Sequence, residues 1–170
     1  MPSVTLDHKV PDFSLPAADG THWHLKDALQ GTLKDAPQGT TQSGPGPLVI
    51  YFYPKDMTAG CTTEAQAFRD LYPKFLRAST RIVGISRDSL QSHEKFRQKE
   101  NLPFTLLSDT QEQVCKLFDV IREKTLYGRK HLGIERSTFL LDASGVLRHE
   151  WRKVKVNGHA EAVLEAAQSL

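Results

Sequence analysis

The chain has 170 residues, 39% hydrophobic and 25% charged, and its 22 basic and 20 acidic side chains leave a net charge of +2. These values are typical of one soluble globular domain, and the near balance of charge argues against a nucleic-acid partner. No apolar run reaches the ~18 residues that a membrane-spanning helix needs, so we expect no membrane partner either.

Two short segments near the N-terminus alternate apolar and polar residues, as the strands of a β-hairpin do. Asp12-Phe13-Ser14-Leu15 and Thr21-His22-Trp23-His24 flank a turn sequence at Asp19-Gly20. His22 and His24 would lie on one face of the second strand. Two histidines alone make a poor metal site, and we predict no bound metal.

A tandem duplication follows the hairpin. Residues 25–32 and 33–40 are identical at seven of eight positions, LKDALQGT against LKDAPQGT. The period is too short for a solenoid repeat, and Pro37 discourages the second copy from continuing a helix. Glycine, proline and serine are frequent in the next residues. We therefore predict a surface-loop insertion over 32–46, within a single domain spanning 1–170.

Strands and helices alternate from residue 47 onward. Pro47 to Tyr53 is continuously apolar, as in a central strand covered on both faces. Asp109 is placed to cap a later helix. This order of elements predicts an α/β domain with a mixed central sheet flanked by helices. Further strands are predicted at 81–86, 104–107, 137–142 and 146–156, and helices at 61–78, 89–101, 110–119 and 159–170.

Cys61 stands at the junction of the apolar strand and the next helix, in YPKDMTAGCTTE (53–64). The first amides of a helix point outward unpaired, and with the helix dipole they favour a thiolate, which is a nucleophile. A Cys-x-x-Cys pair is absent. A phosphatase-type Cys-x5-Arg loop is excluded as well, because the sixth residue after Cys61 is Ala67.

Pro54, Thr58 and Cys61 fit the pattern Pro-x-x-x-Thr-x-x-Cys, which resembles that of the peroxiredoxins. The resemblance implies a role in peroxide chemistry for each residue. Pro54 shields the thiolate from water and has no N–H that would compete for it. The Thr58 hydroxyl can donate to the sulfur or to a peroxide oxygen. The amides of Gly60 and Cys61 can hold the second peroxide oxygen, where negative charge develops, and Gly60 lets the backbone approach the substrate closely.

This stretch resembles the active-site loop of the peroxiredoxins. It is most similar to the branch called peroxiredoxin Q or bacterioferritin comigratory protein, in which Phe-Tyr-Pro, Gly-Cys-Thr and a following Glu-Ala recur. The segment GIERSTFLLD (133–142) resembles a second signature of the family, and LLSD (106–109) is similar as well. The resemblance implies a thioredoxin-like fold, and a thiol-dependent peroxidase that oxidises Cys61 to a sulfenic acid without a cofactor.

Two further residues gain expected roles from this resemblance. Arg136 occupies the position of the family's active-site arginine, where a guanidinium favours the thiolate and holds the peroxide. The alternative is an arginine at a strand edge in a surface ion pair. Glu64, one helical turn after Cys61, either orients donors behind the site or favours the start of the helix.

The chain departs from the branch in its second cysteine. Many members carry a resolving cysteine five residues after the peroxidatic one, where this chain has Gln66. Others carry it in the next helix, where this chain has FRQ (96–98). Cys115 is the other cysteine. A disulfide between Cys115 and Cys61 needs their Cα atoms within about 7 Å, and we expect that local unfolding is required to bring them so close. We expect a one-cysteine cycle, with a two-cysteine cycle through Cys115 as the alternative.

The resemblance also implies the reaction partners. We expect hydrogen peroxide and organic hydroperoxides as substrates, and thioredoxin, glutaredoxin or a low-molecular-weight thiol as reductant. The branch resemblance implies a monomer. We expect the cytoplasm as its compartment, because two cysteines are too few for a disulfide framework and residues 1–16 lack the pattern of a secretory signal. Two other functions stay open, a thiol–disulfide oxidoreductase and a non-enzymatic peroxide sensor.

Overall fold

The computed structural model describes residues 3–31 and 44–170. The predicted insertion at 32–46 lies outside these residues except for its last three, and it stays a prediction. The strands are β1 (Ser14–Pro16), β2 (His22–His24), β3 (Leu48–Phe52), β4 (Arg81–Ser86), β5 (Thr105–Ser108), β6 (Ile121–Leu126), β7 (Arg129–Ile134), β8 (Ser137–Leu141) and β9 (Leu147–Trp151). The helices are α1 (Leu25–Gln30), α2 (Ala59–Arg77), α3 (Leu90–Glu100), α4 (Gln113–Leu117) and α5 (His159–Gln168).

The central sheet has five strands in the order β5-β4-β3-β8-β9. β3 pairs in parallel with β4 and antiparallel with β8, so the sheet is mixed, as predicted. The predicted hairpin of β1 and β2 is confirmed as a separate antiparallel pair. All five residues of β3 are buried, which agrees with its continuously apolar sequence. The chain leaves the carboxyl end of β3 directly into the segment that contains Cys61.

The sheet divides the core into two clusters. Successive side chains of a strand point to opposite faces, and β3 follows this rule. Leu48, Ile50 and Phe52 pack into one cluster with side chains of the β1–β2 hairpin and of α4. Val49 and Tyr51 pack into the other cluster, which contains side chains of α2, α3 and α5. These two faces are called the α4 face and the α2 face below.

One hairpin was not predicted. β6 and β7 pair along their whole length, and their turn is Tyr127-Gly128, with φ angles of 52° and 75°. Most side chains of both strands are exposed. Because a two-sided exposed ribbon has no apolar face, its sequence shows no period-two pattern of hydrophobic residues. Among the described helices, none combines the length and the hydrophobicity that a membrane crossing requires.

Helix α4 is shorter than the predicted 110–119. It begins at Gln113, because Glu112 has a φ of 60°, which interrupts helical geometry. The expectation that Asp109 caps this helix is confirmed by its contacts. Its Oδ2 accepts hydrogen bonds from the amides of Val114 at 3.0 Å and Cys115 at 2.7 Å, so it satisfies two amides of the first turn.

Replacing Asp109 by alanine should therefore destabilise the protein. The substitution Asp109→Ala leaves two buried amides without an acceptor, and we expect the free energy of unfolding to fall by about 1–3 kcal/mol. Urea denaturation followed by circular dichroism measures the effect. Glu165→Ala, on the exposed side of α5, is the matched control and should stay within about 0.5 kcal/mol of the parent. Equal stability of the two variants would contradict the capping role.

Candidate active site

Cys61 lies in the first turn of α2. The helix begins at Ala59 with Thr58 as its N-cap, and Cys61 is 1% exposed on the α2 face. The amides of Ala59, Gly60 and Cys61 belong to the first turn, whose N–H groups have no partner within the helix. The predicted position of the thiol at the strand-to-helix junction is confirmed.

Arg136 reaches this thiol from the connection between β7 and β8. Its Nη2 donates to the Cys61 sulfur at 3.4 Å, and its Nη1 donates to Glu64 Oε1 at 2.7 Å. The arginine side chain is 16% exposed and the glutamate side chain 1%. The structure therefore brings together three residues predicted from two separate motifs. A surface ion pair, the alternative for Arg136, does not describe this buried arrangement.

Gly60 makes room for the guanidinium. A Cβ atom built on Gly60 would lie 3.0 Å from Arg136 Nη2, which is closer than ordinary van der Waals contact. Glycine was expected here for a close approach of the backbone to the substrate. In the structure, the space that the missing side chain leaves is next to Arg136, and so the residue type at position 60 bears on where the guanidinium sits.

Glu64 is a buried carboxyl group with one satisfied oxygen. Its Oε1 accepts from Arg136, whereas its Oε2 has no hydrogen-bond partner among the described residues. Burial raises the pKa of Glu64 to about 7, although the adjacent Arg136 acts in the opposite direction. Of the two expected roles, the contacts favour orientation of a donor, because Glu64 holds one arm of the guanidinium while the other arm meets the sulfur.

The Thr58 hydroxyl is engaged differently from the prediction. It donates to the Lys55 carbonyl at 2.9 Å rather than to the Cys61 sulfur. This bond closes the turn from Lys55 to Thr58 within the loop of residues 53–58, called the 53–58 loop below. Pro54, in the same loop, is half-buried. Thr58 itself is exposed, and its hydroxyl oxygen stays available as an acceptor.

Cys115 lies on the other side of the sheet. It is buried in α4, within the cluster of the α4 face, whereas Cys61 belongs to the cluster of the α2 face. Burial and the nearby Asp109 carboxylate hold the pKa of the Cys115 thiol far above its usual range. Cys115 is therefore a protonated, packed thiol in this structure.

A buried polar cluster beside the 53–58 loop was missed by the sequence analysis. Tyr53 donates to Asp56 Oδ1 at 2.6 Å, and His93 Nδ1 lies 2.7 Å from Asp56 Oδ2. Burial, with the Asp56 charge next in size, holds the pKa of Tyr53 well above its usual range, so the phenol remains a donor. One signal was present, since His93 precedes the inward-facing Phe96 by three residues and so shares its side of α3.

Asp56, Asp88 and His93 offer ligand atoms within 4.8 Å of one another, which is a spacing that a metal ion could use. Those atoms already have protein partners. Asp88 Oδ2, for example, accepts hydrogen bonds from the Asp56 amide and the Ser86 hydroxyl. Because a metal would have to break these bonds, the cluster is better described as a hydrogen-bonded network than as a cation site.

Lys124 of the β6–β7 hairpin was also missed, because the hairpin itself was not predicted. Its Nζ donates to the Ile134 carbonyl at 2.6 Å, close to the point where the chain turns toward Arg136. Partial burial, followed by repulsion from Arg136, lowers the pKa of Lys124. The hairpin therefore brings a second cation near Arg136.

Comparison with known proteins places these features in one family. A model of the AhpC/TSA family matches residues 6–150. A peroxiredoxin Bcp of Bacillus subtilis is 52% identical over 168 residues, 99% of this chain and 96% of the relative. A peroxiredoxin Bcp of Xanthomonas campestris pv. campestris is 56% identical over 122 residues, 72% of this chain and 76% of the relative.

Solved structures agree with these relatives. The bacterioferritin comigratory protein of Xanthomonas campestris, studied for its alkyl peroxide reduction, superposes with a TM-score of 0.79 at 46% identity, over 92% of this chain and 90% of that one. A PrxQ mutant of Xylella fastidiosa superposes with a TM-score of 0.84 at 36% identity, over 99% and 98% of the two chains.

The raised pKa of Glu64 predicts a dependence of stability on pH. Between the ordinary value of 4.5 and about 7, the folded protein keeps a proton that the unfolded chain releases. Stability should therefore fall as pH rises through this window, by at most about 3 kcal/mol from this residue. In Glu64→Gln this contribution disappears, so the decline should be shallower than in the parent.

Urea unfolding at about pH 5, 6, 7 and 8 measures how the free energy of unfolding changes with pH. The exposed Glu161→Gln is the matched control and should keep the slope of the parent. An identical slope in Glu64→Gln and the parent would show that Glu64 does not retain its proton in this range.

Proposed function

This chain belongs to the AhpC/TSA family as a peroxiredoxin of the Bcp type, and we propose that Cys61 is its peroxidatic residue in a one-cysteine cycle. The family relationship establishes a thioredoxin-like fold and a thiol-dependent peroxidase that reduces a peroxide at the expense of a thiol. The single observation that carries the assignment to Cys61 is the contact of its sulfur with Arg136 at the first turn of α2.

The proposed reaction begins with the Cys61 thiolate. Its sulfur attacks the nearer oxygen of the hydroperoxide, so that an S–O bond forms as the O–O bond breaks. The leaving oxygen takes up a proton and departs as water or an alcohol. Arg136 stabilises the thiolate, and with the amides of Gly60 and Cys61 it offers donors to the oxygen on which negative charge develops. Cys61 becomes a sulfenic acid.

An external thiol completes the cycle. It attacks the sulfenic acid, forming a mixed disulfide and releasing water, and a second thiol reduces that disulfide and restores Cys61. Thioredoxin, glutaredoxin or a low-molecular-weight thiol would serve. Because Cys61 is 1% exposed, the 53–58 loop or α2 must loosen before a protein thiol can reach the sulfur. We propose a monomer from the branch resemblance, and a cytoplasmic location from the small number of cysteines.

The positions of the two cysteines support a one-cysteine cycle. Cys115 lies beyond the central sheet from Cys61, in a different core cluster. Bringing the two Cα atoms within about 7 Å would require α4 or α2 to leave the sheet. Gln66 occupies the place of one common resolving cysteine, and its Nε2 donates to Glu100 Oε1 at 2.8 Å. The same distribution of cysteines disfavours a thiol–disulfide oxidoreductase, which needs two thiols within reach.

Cysteine substitutions test this cycle. We expect Cys61→Ser to lose peroxide consumption, and Cys115→Ser to keep it. After one equivalent of hydrogen peroxide, intact mass spectrometry of the parent and of Cys115→Ser should show one added oxygen without a sulfenic-acid trap and one trap adduct with it. Cys61→Ser should show neither. A loss of two hydrogens in the parent alone would instead establish a Cys61–Cys115 disulfide. Oxidation without recycling by any thiol system would favour a peroxide sensor.

Arg136 should control the peroxide step. In Arg136→Ala the sulfur and the developing oxyanion lose a charged donor, and we expect kcat/KM for hydrogen peroxide to fall about 100- to 1000-fold, that is ~2.7–4 kcal/mol. The rate of peroxide consumption under excess reductant measures it. Arg148→Ala is the matched control, because Arg148 pairs with Asp7 and Asp142 at the surface. Equal rates in both variants would remove Arg136 from its role.

A further inference from the structure

We propose that His93 is a positioning residue for the reaction at Cys61, and that it acts by sharing a buried proton with Asp56 of the 53–58 loop. The inference rests on the proposed role of Cys61. It concerns a residue of α3, which the motifs around Cys61 and Arg136 do not include.

The argument begins with Asp56, which is held at every polar atom of its side chain. Its Oδ1 accepts from the Tyr53 hydroxyl at 2.6 Å, and its Oδ2 accepts from the Ser92 hydroxyl at 2.8 Å and faces His93 Nδ1 at 2.7 Å. Its own amide donates to Asp88 Oδ2 at 2.9 Å. Four neighbours thus converge on this one residue: one from the loop itself, one from the turn after β4 and two from α3.

The Tyr53 hydroxyl lies 3.3 Å from His93 Nδ1, and two shorter contacts of His93 determine how many protons the pair holds. Its Nε2 lies 2.8 Å from the Leu107 carbonyl, which only accepts, so Nε2 carries a hydrogen. The contact between Nδ1 and Asp56 Oδ2 also needs one hydrogen, whichever of the two atoms it is bonded to. The pair therefore has no net charge, and both of its components are almost fully buried, with 0% and 1% of their side chains exposed.

The hydrogen bond between His93 and Asp56 is costly to lose at this place, because neither group can turn to water instead. It therefore holds the loop against α3, while the Leu107 carbonyl holds His93 against β5.

The residue after Asp56 shows why such fastening is needed. Met57 has a φ of 63°, in the left-handed region that side chains with a Cβ rarely adopt, and it is 44% exposed. Unfavourable backbone conformations of this kind persist only where the surrounding contacts over-determine them. The Asp56 contacts hold one end of the strained residue, and the bond from Thr58 to the Lys55 carbonyl holds the other.

The strained turn sets the start of α2. Thr58 is the N-cap of that helix, with the extended backbone angles of φ −86° and ψ 158°, and Cys61 follows within the first turn. A displacement of Met57 would shift Thr58, the first amides and the sulfur relative to Arg136. Since a misplacement of about 1 Å can cost ~100-fold in rate, His93 acts on the chemistry through the backbone of this loop.

Substitutions separate positioning from mere stability. His93→Leu and Asp56→Ala each remove the shared proton, and we expect kcat/KM for hydrogen peroxide to fall about 10- to 100-fold in both. Asp56→Asn restores the geometry with neutral groups, because its amide can donate to Nδ1 while its oxygen still accepts from Tyr53. We expect this variant to stay within about threefold of the parent.

Asp109→Ala is the matched control for stability, because it removes buried hydrogen bonds on the α4 face, away from Cys61. We expect it to unfold more easily and yet to keep the parent's kcat/KM. Each rate is measured under conditions in which the urea denaturation curve of that variant shows the protein to be folded. Two disruptive variants are included so that the test stands if His93→Leu fails to fold.

The outcomes separate this proposal from the assignment of Cys61. Both proposals are supported if Cys61→Ser is inactive, if kcat/KM falls in His93→Leu or Asp56→Ala, and if kcat/KM stays near that of the parent in Asp56→Asn. An inactive Cys61→Ser with disruptive variants as fast as the parent overturns the positioning role alone. Equal slowing of Asp56→Asn and Asp56→Ala, or slowing of Asp109→Ala to the same degree, overturns it too. Activity in Cys61→Ser overturns the proposed function itself.

Discussion

The site depends on one half-buried cation, the guanidinium of Arg136, which contacts two partners at once. Arg136 gives one arm of its guanidinium to Glu64 and the other to the Cys61 sulfur, and Gly60 leaves the space in which it lies. The planar group fixes both directions at once, which an ammonium would not do. Since burial raises the pKa of Glu64 to about 7, the carboxyl group takes less of the arginine's charge than an exposed carboxylate would.

The elements around this cation have distinct tasks. β3 is buried on both faces and ends directly before the 53–58 loop, while the connection between β7 and β8 positions Arg136. The contacts of α3 and β5 are with the loop and not with the Cys61 sulfur. Through His93 and the Leu107 carbonyl, these two elements are proposed to hold the loop in place.

The sequence was most informative where a local pattern matched a local structure. The apolar run of β3, the cap at Asp109 and the junction at Cys61 follow from periodicity and from the chemistry of helix ends. The partner of the Thr58 hydroxyl did not follow, because a hydroxyl has several acceptors in reach and the loop geometry chooses among them. The role of His93 did not follow either, because its buried partners come from two other parts of the chain, the loop of residues 53–58 and β5.

The separation of Cys61 and Cys115 by the sheet has a kinetic consequence for a one-cysteine cycle. With no thiol on its own side, the sulfenic acid survives until an outside molecule arrives. During that time a second peroxide molecule competes with the reductant for the sulfenic acid. The product of this second oxidation is a sulfinic acid, which ordinary thiols do not reduce. The ratio of peroxide to reductant in the surroundings would then decide how many turnovers each molecule completes before it is irreversibly inactivated.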